Sequence, residues 1–254
     1  KLKLISVLAT GHNIVDGAAA RDQGVVVCNA PSYSTQSVTQ HTLALMLELC
    51  NNVALHSDSV HAEDWTRCPE FTYWKKPLAQ LTEMTVGFVG WGEIARSVGA
   101  LVHALGAKVI AYSPSRRNAP DWSPFAWEEL DALFAKSDIL SLHCPLTPDN
   151  AGMVNAERLA AMKKSAFLIN TARGALVDES ALAQALRDGV IAGAALDVVS
   201  NEPMSPDNPL LGAPNCFITP HIAWSSLPAR LRLLEITVEN IRSFLADQPQ
   251  NVVN

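Results

Sequence analysis

Apolar residues fall along this chain in two alternating rhythms, short unbroken runs and longer stretches in which they recur every three or four positions. Val86, Phe88 and Val89 suit a strand buried on both faces, and Ile94, Val98, Leu101, Val102 and Leu105 follow at helical spacing up to Gly106. The same logic predicts strands at Leu4 to Leu8, Val25 to Cys28, Lys108 to Tyr112, Ile139 to Leu142, Ala166 to Asn170, Ala194 to Val198 and Cys216 to Thr219. Between them it predicts a short helix capped by Asp16 and ending before Gly24, helices at Ser37 to Cys50, Trp127 to Ala135 and Ala156 to Met162, and one capped by Asp178 and closed by Gly189. A long amphipathic helix follows at Pro228 to Ala246, carrying Leu231, Leu234, Ile236, Val238, Ile241 and Leu245. His56 to Pro77, polar and aromatic, lacks clean periodicity, as a long excursion or a contact surface would. Strands and helices in alternation imply an α/β protein on a doubly wound parallel, Rossmann-type sheet.

The junction inside Thr85 to Gly99 carries the first chemistry. Gly90 and Gly92 permit a tight turn and close approach of a phosphate, Ala95 stands at the third glycine position, and the N–H groups opening the next helix offer partial positive charge. A strand, a glycine turn and a helix in that order point to a dinucleotide-dependent enzyme. An acid about 20 residues on would take the ribose hydroxyls of NAD. Here the second strand ends at Ser113, and Ser115, Arg116 and Arg117 follow without a carboxylate. Guanidinium groups pair with phosphate, so NADP(H) is favoured over NAD(H). A solvated arginine pair on a loop is the alternative reading of the same residues.

Composition narrows the class. The 254 residues, 27.3 kDa and 48% hydrophobic content suffice for one large or two modest domains. A formal net charge of -6 with no basic stripe argues against nucleic acid or an anionic membrane as partner. Cys28, Cys50, Cys68, Cys144 and Cys216 are scattered and form no C-x-x-C pair, which fits reduced thiols, a cytoplasmic location and no metal site. No apolar run spans a bilayer and no signal segment opens the chain.

Ligands of such sheets sit at the carboxyl ends of the strands, and four polar segments fall there. They are His143-Cys144-Pro145, Asn170-Thr171-Ala172-Arg173-Gly174, Asp197 with Glu202 beyond it, and Pro220-His221-Ile222-Ala223-Trp224. Arginine, glutamate and histidine thus converge on one rim from distant parts of the sequence.

At this level the chain resembles a known family. The segments VGFVGWGEIA, LINTARGALVDESAL, ALDVVSNEP and TPHIAW are similar to those of the D-isomer-specific 2-hydroxyacid dehydrogenases. TYWKKPLAQL and the tryptophan three residues after the histidine resemble the glycerate dehydrogenase, or hydroxypyruvate reductase, branch. The resemblance implies Arg173 as the substrate-binding arginine, His221 as acid/base and Glu202 as its carboxylate partner. It implies Asp197 at the nicotinamide carboxamide and Gly90, Trp91, Gly92, Glu93 and Ile94 around the pyrophosphate. Ser113, Ser115, Arg116 and Arg117 would lie at the ribose, with His143, Cys144, Pro145, Thr171, Ala172 and Ala223 as cofactor-pocket wall. Trp224 would shape the substrate pocket or pack in the core. Backbone N–H groups of Ala9, Thr10 and Gly11 would meet the substrate carboxylate.

The resemblance also implies an organisation. Residues 1–36 would be part of a smaller flavodoxin-like substrate domain whose opening βα units are missing, through truncation or because the chain is part of a longer protein. Residues 37–222 would form the cofactor domain with a dimerisation arm at 37–82, and 223–254 would return to the substrate domain, with hinges near Gln36 and Ala223. A homodimer is expected. Formate- or phosphite-type oxidation and a non-catalytic nucleotide-sensing module are the alternatives on this architecture.

The assigned roles have physical content. A 2-keto acid needs a cation for its carboxylate and carbonyl, which a planar guanidinium at Arg173 supplies. Its oxygen needs a proton, which an imidazole exchanges near neutral pH, and Glu202 would orient the His221 ring.

Overall fold

The computed structural model describes residues 1–254 and turns the apolar runs into a parallel sheet and its crossover helices. In chain order come β1 (Leu4–Ser6), α1 (Gly17–Asp22), β2 (Val26–Cys28), α2 (Thr35–Asn51) and α3 (Val53–His61). Then follow β3 (Thr85–Val89), α4 (Glu93–Ala104), β4 (Lys108–Tyr112), β5 (Phe125–Trp127) and α5 (Leu130–Lys136). The remainder is β6 (Ile139–Leu142), α6 (Ala156–Ala161), β7 (Phe167–Asn170), α7 (Glu179–Arg187), β8 (Gly193–Leu196), β9 (Cys216–Ile218) and α8 (Leu227–Leu245). The chain divides into two units, one of Lys1–Val38 with Ile222–Asn254 and one of Thr39–His221, where boundaries after residues 36 and 222 were expected.

The Thr39–His221 unit carries seven strands, all parallel, in the order β5-β4-β3-β6-β7-β8-β9. Alternate residues of each strand feed two cores. Val86 and Phe88 of β3 join Leu45, Met46 and Leu49 of α2 and Val98 and Val102 of α4. On the other face Leu140 and Leu142 of β6 pack with Leu133 and Phe134 of α5, Leu159 of α6 and Leu182 and Leu186 of α7. Helices on both faces leave the strands no polar side, which is why they read as unbroken apolar runs.

Two elements depart from the expectation. Trp127, predicted to open a helix running to Ala135, instead ends the edge strand Phe125–Trp127 paired with β4, and the helix starts at Leu130. The reason is aromatic packing: Phe125 and Trp127 lie edge-on to each other at 5.1 Å and both meet Trp91, at 4.9 and 6.4 Å. The aperiodic stretch also hides a helix, since α3 buries only Ser59 and so has no apolar stripe to show. Polar contacts hold the segment from Asp64 to Lys75 against that helix. The Ser59 hydroxyl donates to Asp64 at 2.7 Å and lies 2.9 Å from the Tyr73 hydroxyl, and Lys75 Nζ reaches Asp64 at 2.6 Å. The Lys75 ammonium beside it holds the Asp64 carboxyl below its ordinary range.

In the other unit β1 and β2 pair in parallel, with Asp16 capping α1 by accepting from Ala19 N–H at 2.9 Å. Val7, Ala20, Val25 and Val27 form a small core, and α8 places Ala229 and Leu233 against Ala30 and Tyr33. Near the C-terminus Val253 N–H donates to Val27 O, and the Asn254 side chain accepts from Val27 N–H and donates to Val25 O, extending the sheet edge.

Candidate active site

Strand order reverses between β3 and β6, which opens a crevice at their carboxyl ends. Gly90 stands there at φ +90°, and a Cβ on it would lie 2.8 Å from the His143–Cys144 backbone, so no other residue fits. Gly92 caps the 12-residue α4, and no atom lies within 4 Å of where its Cβ would be. A bare turn at the N-terminus of α4 fits a dinucleotide's pyrophosphate. Glu93 and Ile94 form the first turn of α4. Trp91 contributes only backbone: its indole is buried, packs on Phe88 at 5.4 Å and donates from Nε1 to Asn118 O at 2.9 Å.

After β4 the Ser113 and Ser115 hydroxyls lie 3.4 Å apart. Arg116, at φ +44°, pairs with Glu129 at the start of α5, while Arg117 is exposed. After β6, His143 lies 2.8 Å from the Ser141 hydroxyl and tilts on Phe88 at 5.6 Å. Burial pushes its imidazole down to about 4, so it is neutral at physiological pH. Burial raises the neighbouring Cys144 thiol, which keeps it protonated and poorly nucleophilic. Asn150 fastens this loop by donating to Pro145 O at 2.8 Å.

The Asn170-to-Gly174 segment is shaped from within. Buried Asn170 accepts from Ala172 N–H at 3.0 Å and donates to Arg173 O at 2.8 Å, leaving Thr171, Ala172 and Arg173 half-buried at the rim. Arg173 Nη1 donates to Ala172 O at 2.7 Å. Gly174 seats this turn on the loop after β8, since a Cβ there would come within 1.9 Å of the Val199 carbonyl carbon. From that loop Glu202 accepts from Val199 N–H at 3.0 Å through Oε1 and meets His221 Nδ1 at 2.6 Å through Oε2. His221 takes a left-handed backbone, φ +53°, and its N–H donates to Asp197 O at 2.8 Å and Thr219 O at 3.0 Å. The arrangement presents one half-exposed imidazole whose Nδ1 is committed to a carboxylate and whose Nε2 remains for a substrate.

Sequence reasoning missed the support behind this rim. His41 Nε2 of α2 lies 3.0 Å from Thr219 Oγ1 and 3.4 Å from Asp197 Oδ1, and Thr219 donates to Asp197 Oδ1 at 2.5 Å. The next residue, fully buried Thr42, reaches the Thr171 hydroxyl at 3.0 Å. A polar His41-Thr42 pair inside an otherwise apolar helical stretch was the available signal.

Ala9, Thr10, Gly11 and Ala223 belong to the other unit. There Ala30 N–H donates to Ala9 O at 3.0 Å, the Thr10 hydroxyl donates to Ala30 O at 2.9 Å, and Ser37 donates to Ala223 O at 2.6 Å. Trp224 lies edge-on to Tyr33 at 6.3 Å and packs in that unit's core. No cluster of three His, Cys, Asp or Glu residues is placed to hold a metal ion, and no helix is long and apolar enough to cross a membrane.

Residues 43–223 match the family model for the D-isomer specific 2-hydroxyacid dehydrogenase NAD binding domain. The chain is 44% identical over 253 residues to a hydroxypyruvate reductase of Blautia hydrogenotrophica, covering 100% of this chain and 79% of that protein. It is 42% identical over 254 residues to a glycerate dehydrogenase of Methylorubrum extorquens, covering 99% and 79%. Among solved structures, an NADPH-dependent glyoxylate/hydroxypyruvate reductase from Sinorhizobium meliloti in complex with NADP and malonate superposes with a TM-score of 0.88 at 30% identity, covering 99% and 77%.

Proposed function

Because the chain belongs to the D-isomer-specific 2-hydroxyacid dehydrogenase family, we propose that it reduces a small 2-keto acid, hydroxypyruvate or glyoxylate, with a nicotinamide cofactor. The observation that carries this reading is the His221–Glu202 pair at 2.6 Å, in which Glu202 comes from the loop that Gly174 joins to the Arg173 turn. A bound nicotinamide would supply the hydride for the carbonyl carbon. Arg173 binds the carboxylate and polarises the carbonyl, fixing the carbon in position. His221 gives its Nε2 proton to the oxygen as charge develops there, and Glu202, holding the Nδ1 hydrogen, keeps the ring aimed.

The Gly90–Gly92 turn would hold the cofactor's pyrophosphate, and Asp197 would accept from its carboxamide. NADP(H) is the preferred form, because Ser113 and Ser115 offer hydroxyls where an acid would repel a 2′-phosphate, and Arg117 is exposed beside them. Two chains associate through the arm at residues 37–82, whose Trp65, Phe71, Trp74 and Leu78, beyond α3, are exposed apolar side chains. Light scattering that finds a monomer at micromolar concentration overturns the dimer.

The test is a panel of keto acids with NADH and NADPH, together with Arg173→Ala. Turnover with hydroxypyruvate or glyoxylate is expected, and the variant should lose kcat by orders of magnitude while cofactor affinity holds. Nucleotide binding without turnover of any acid overturns the reading.

A further inference from the structure

Asp197 is 1% exposed, and a carboxylate so buried must be hydrogen-bonded. Its Oδ1 receives the Thr219 hydroxyl at 2.5 Å and stands 3.4 Å from His41 Nε2. A threonine hydroxyl has one hydrogen. Having given it to the carboxylate, Thr219 can only accept across the 3.0 Å separating it from His41. The proton therefore sits on Nε2 of His41, and a one-way chain of donors runs from His41 through Thr219 to Asp197.

We propose that His41 is a positioning residue for the nicotinamide end of the cofactor, acting through Thr219 on the Asp197 carboxylate. This rests on the proposed function, in which Asp197 accepts from the carboxamide. An amide NH2 recognises a carboxylate by direction as well as charge, so a carboxylate free to rotate would bind it poorly. The donor chain fixes that rotation from behind, from α2. Packing alone does not call for an imidazole here: the residues α2 turns into the core are Leu45, Met46, Leu49 and Cys50, whereas the His41 side chain keeps 21% of its surface exposed. Thr42 does the same service one residue on, bonding Thr171 at the end of β7. Two consecutive polar residues thus tie the ends of β7, β8 and β9 to one helix.

A positioning role for the nicotinamide end separates from a structural one by comparing the whole cofactor with its fragment. Binding of NADPH and of 2′-phospho-ADP-ribose, with NADH and ADP-ribose in parallel, is measured by calorimetry for His41→Leu, Thr219→Val and His41→Gln. His41→Leu and Thr219→Val should each weaken the intact cofactor about tenfold, the worth of one lost hydrogen bond, and the fragment less than about twofold. His41→Gln, whose amide can still donate to Thr219, should recover most of the loss. Equal weakening of cofactor and fragment, or no change in either, overturns the proposal. Asp197→Asn tests the underlying reading separately: if it leaves the ratio of the two affinities untouched, the carboxamide does not bind there, whatever His41 does.

Discussion

Replacing Glu202 by glutamine isolates the pair that the proposed proton transfer depends on. Glutamine keeps an oxygen to accept from Val199 N–H, the 3.0 Å bond that holds the loop, and changes only the atom facing His221 at 2.6 Å. That atom becomes an NH2 donor, so the bond that aims the His221 ring through Nδ1 is lost or reversed. A charge-assisted hydrogen bond contributes about 1.5–3 kcal/mol, and the lower end applies because the side chains are 44% and 36% exposed. At 1.36 kcal/mol per decade, kcat should fall roughly tenfold from the lost bond.

The assay is steady-state reduction of hydroxypyruvate, followed by NADPH absorbance, beside a titration of NADPH binding. The loss should appear in kcat, with cofactor affinity unchanged. A kcat within about twofold of the parent, or a loss located wholly in cofactor binding, refutes the assignment of His221 and Glu202.

Three further outcomes are expected. Ser113→Asp should move the ratio of kcat/KM values toward NADH by repelling the 2′-phosphate, and an unchanged preference for NADPH would place the phosphate elsewhere. His143, with its folded value pushed from 6.5 down to about 4, stays neutral in the folded protein while the unfolded chain takes up a proton as pH falls below 6.5. Its contribution is therefore intact above pH 6.5 and lost as pH falls from 6.5 to 4, by about 2 kcal/mol at pH 5, which urea unfolding at pH 7 and 5 should show and His143→Gln should abolish. Gly174→Ala forces backbone apart where only 1.9 Å separates the new Cβ from the Val199 carbonyl carbon, so Tm should drop on the order of 6–10 °C, read by circular dichroism.

Sequence pattern reached the sheet because its physics is local. A strand buried on both faces must be apolar throughout, and a glycine turn with a helix behind it is visible as spacing, so β3, β4, β6 and β7 were legible nearly to the residue. β5 was not, because three residues at a sheet edge are stabilised by aromatic contacts with Trp91, thirty-odd positions away in sequence. α3 was not, because a helix without a buried face leaves no period. The rim shows the same division. Arg173, Glu202 and His221 follow strand ends and could be read from topology, whereas His41 and Thr42 serve the rim from the middle of a helix, across contacts with Thr219 and Thr171 that no spacing encodes.

One consequence of that hidden support concerns how the two halves of the proposed reaction keep register. His221 holds φ +53°, a conformation that costs a non-glycine residue about 1–2 kcal/mol and persists only where its surroundings impose it. Part of what imposes it is the Asp197 carbonyl, which accepts the His221 N–H at 2.8 Å, while the carboxylate of the same residue is the group fixed by Thr219 and His41. The proposed proton donor and the proposed carboxamide anchor therefore hang from opposite ends of one residue at the tip of β8. A shift of that tip would carry both in the same direction, so the hydride source and the proton source would move together relative to Arg173. On this geometry, substitutions that loosen Thr219 should disturb cofactor binding and the aim of His221 jointly, while those at Glu202 should disturb the imidazole alone.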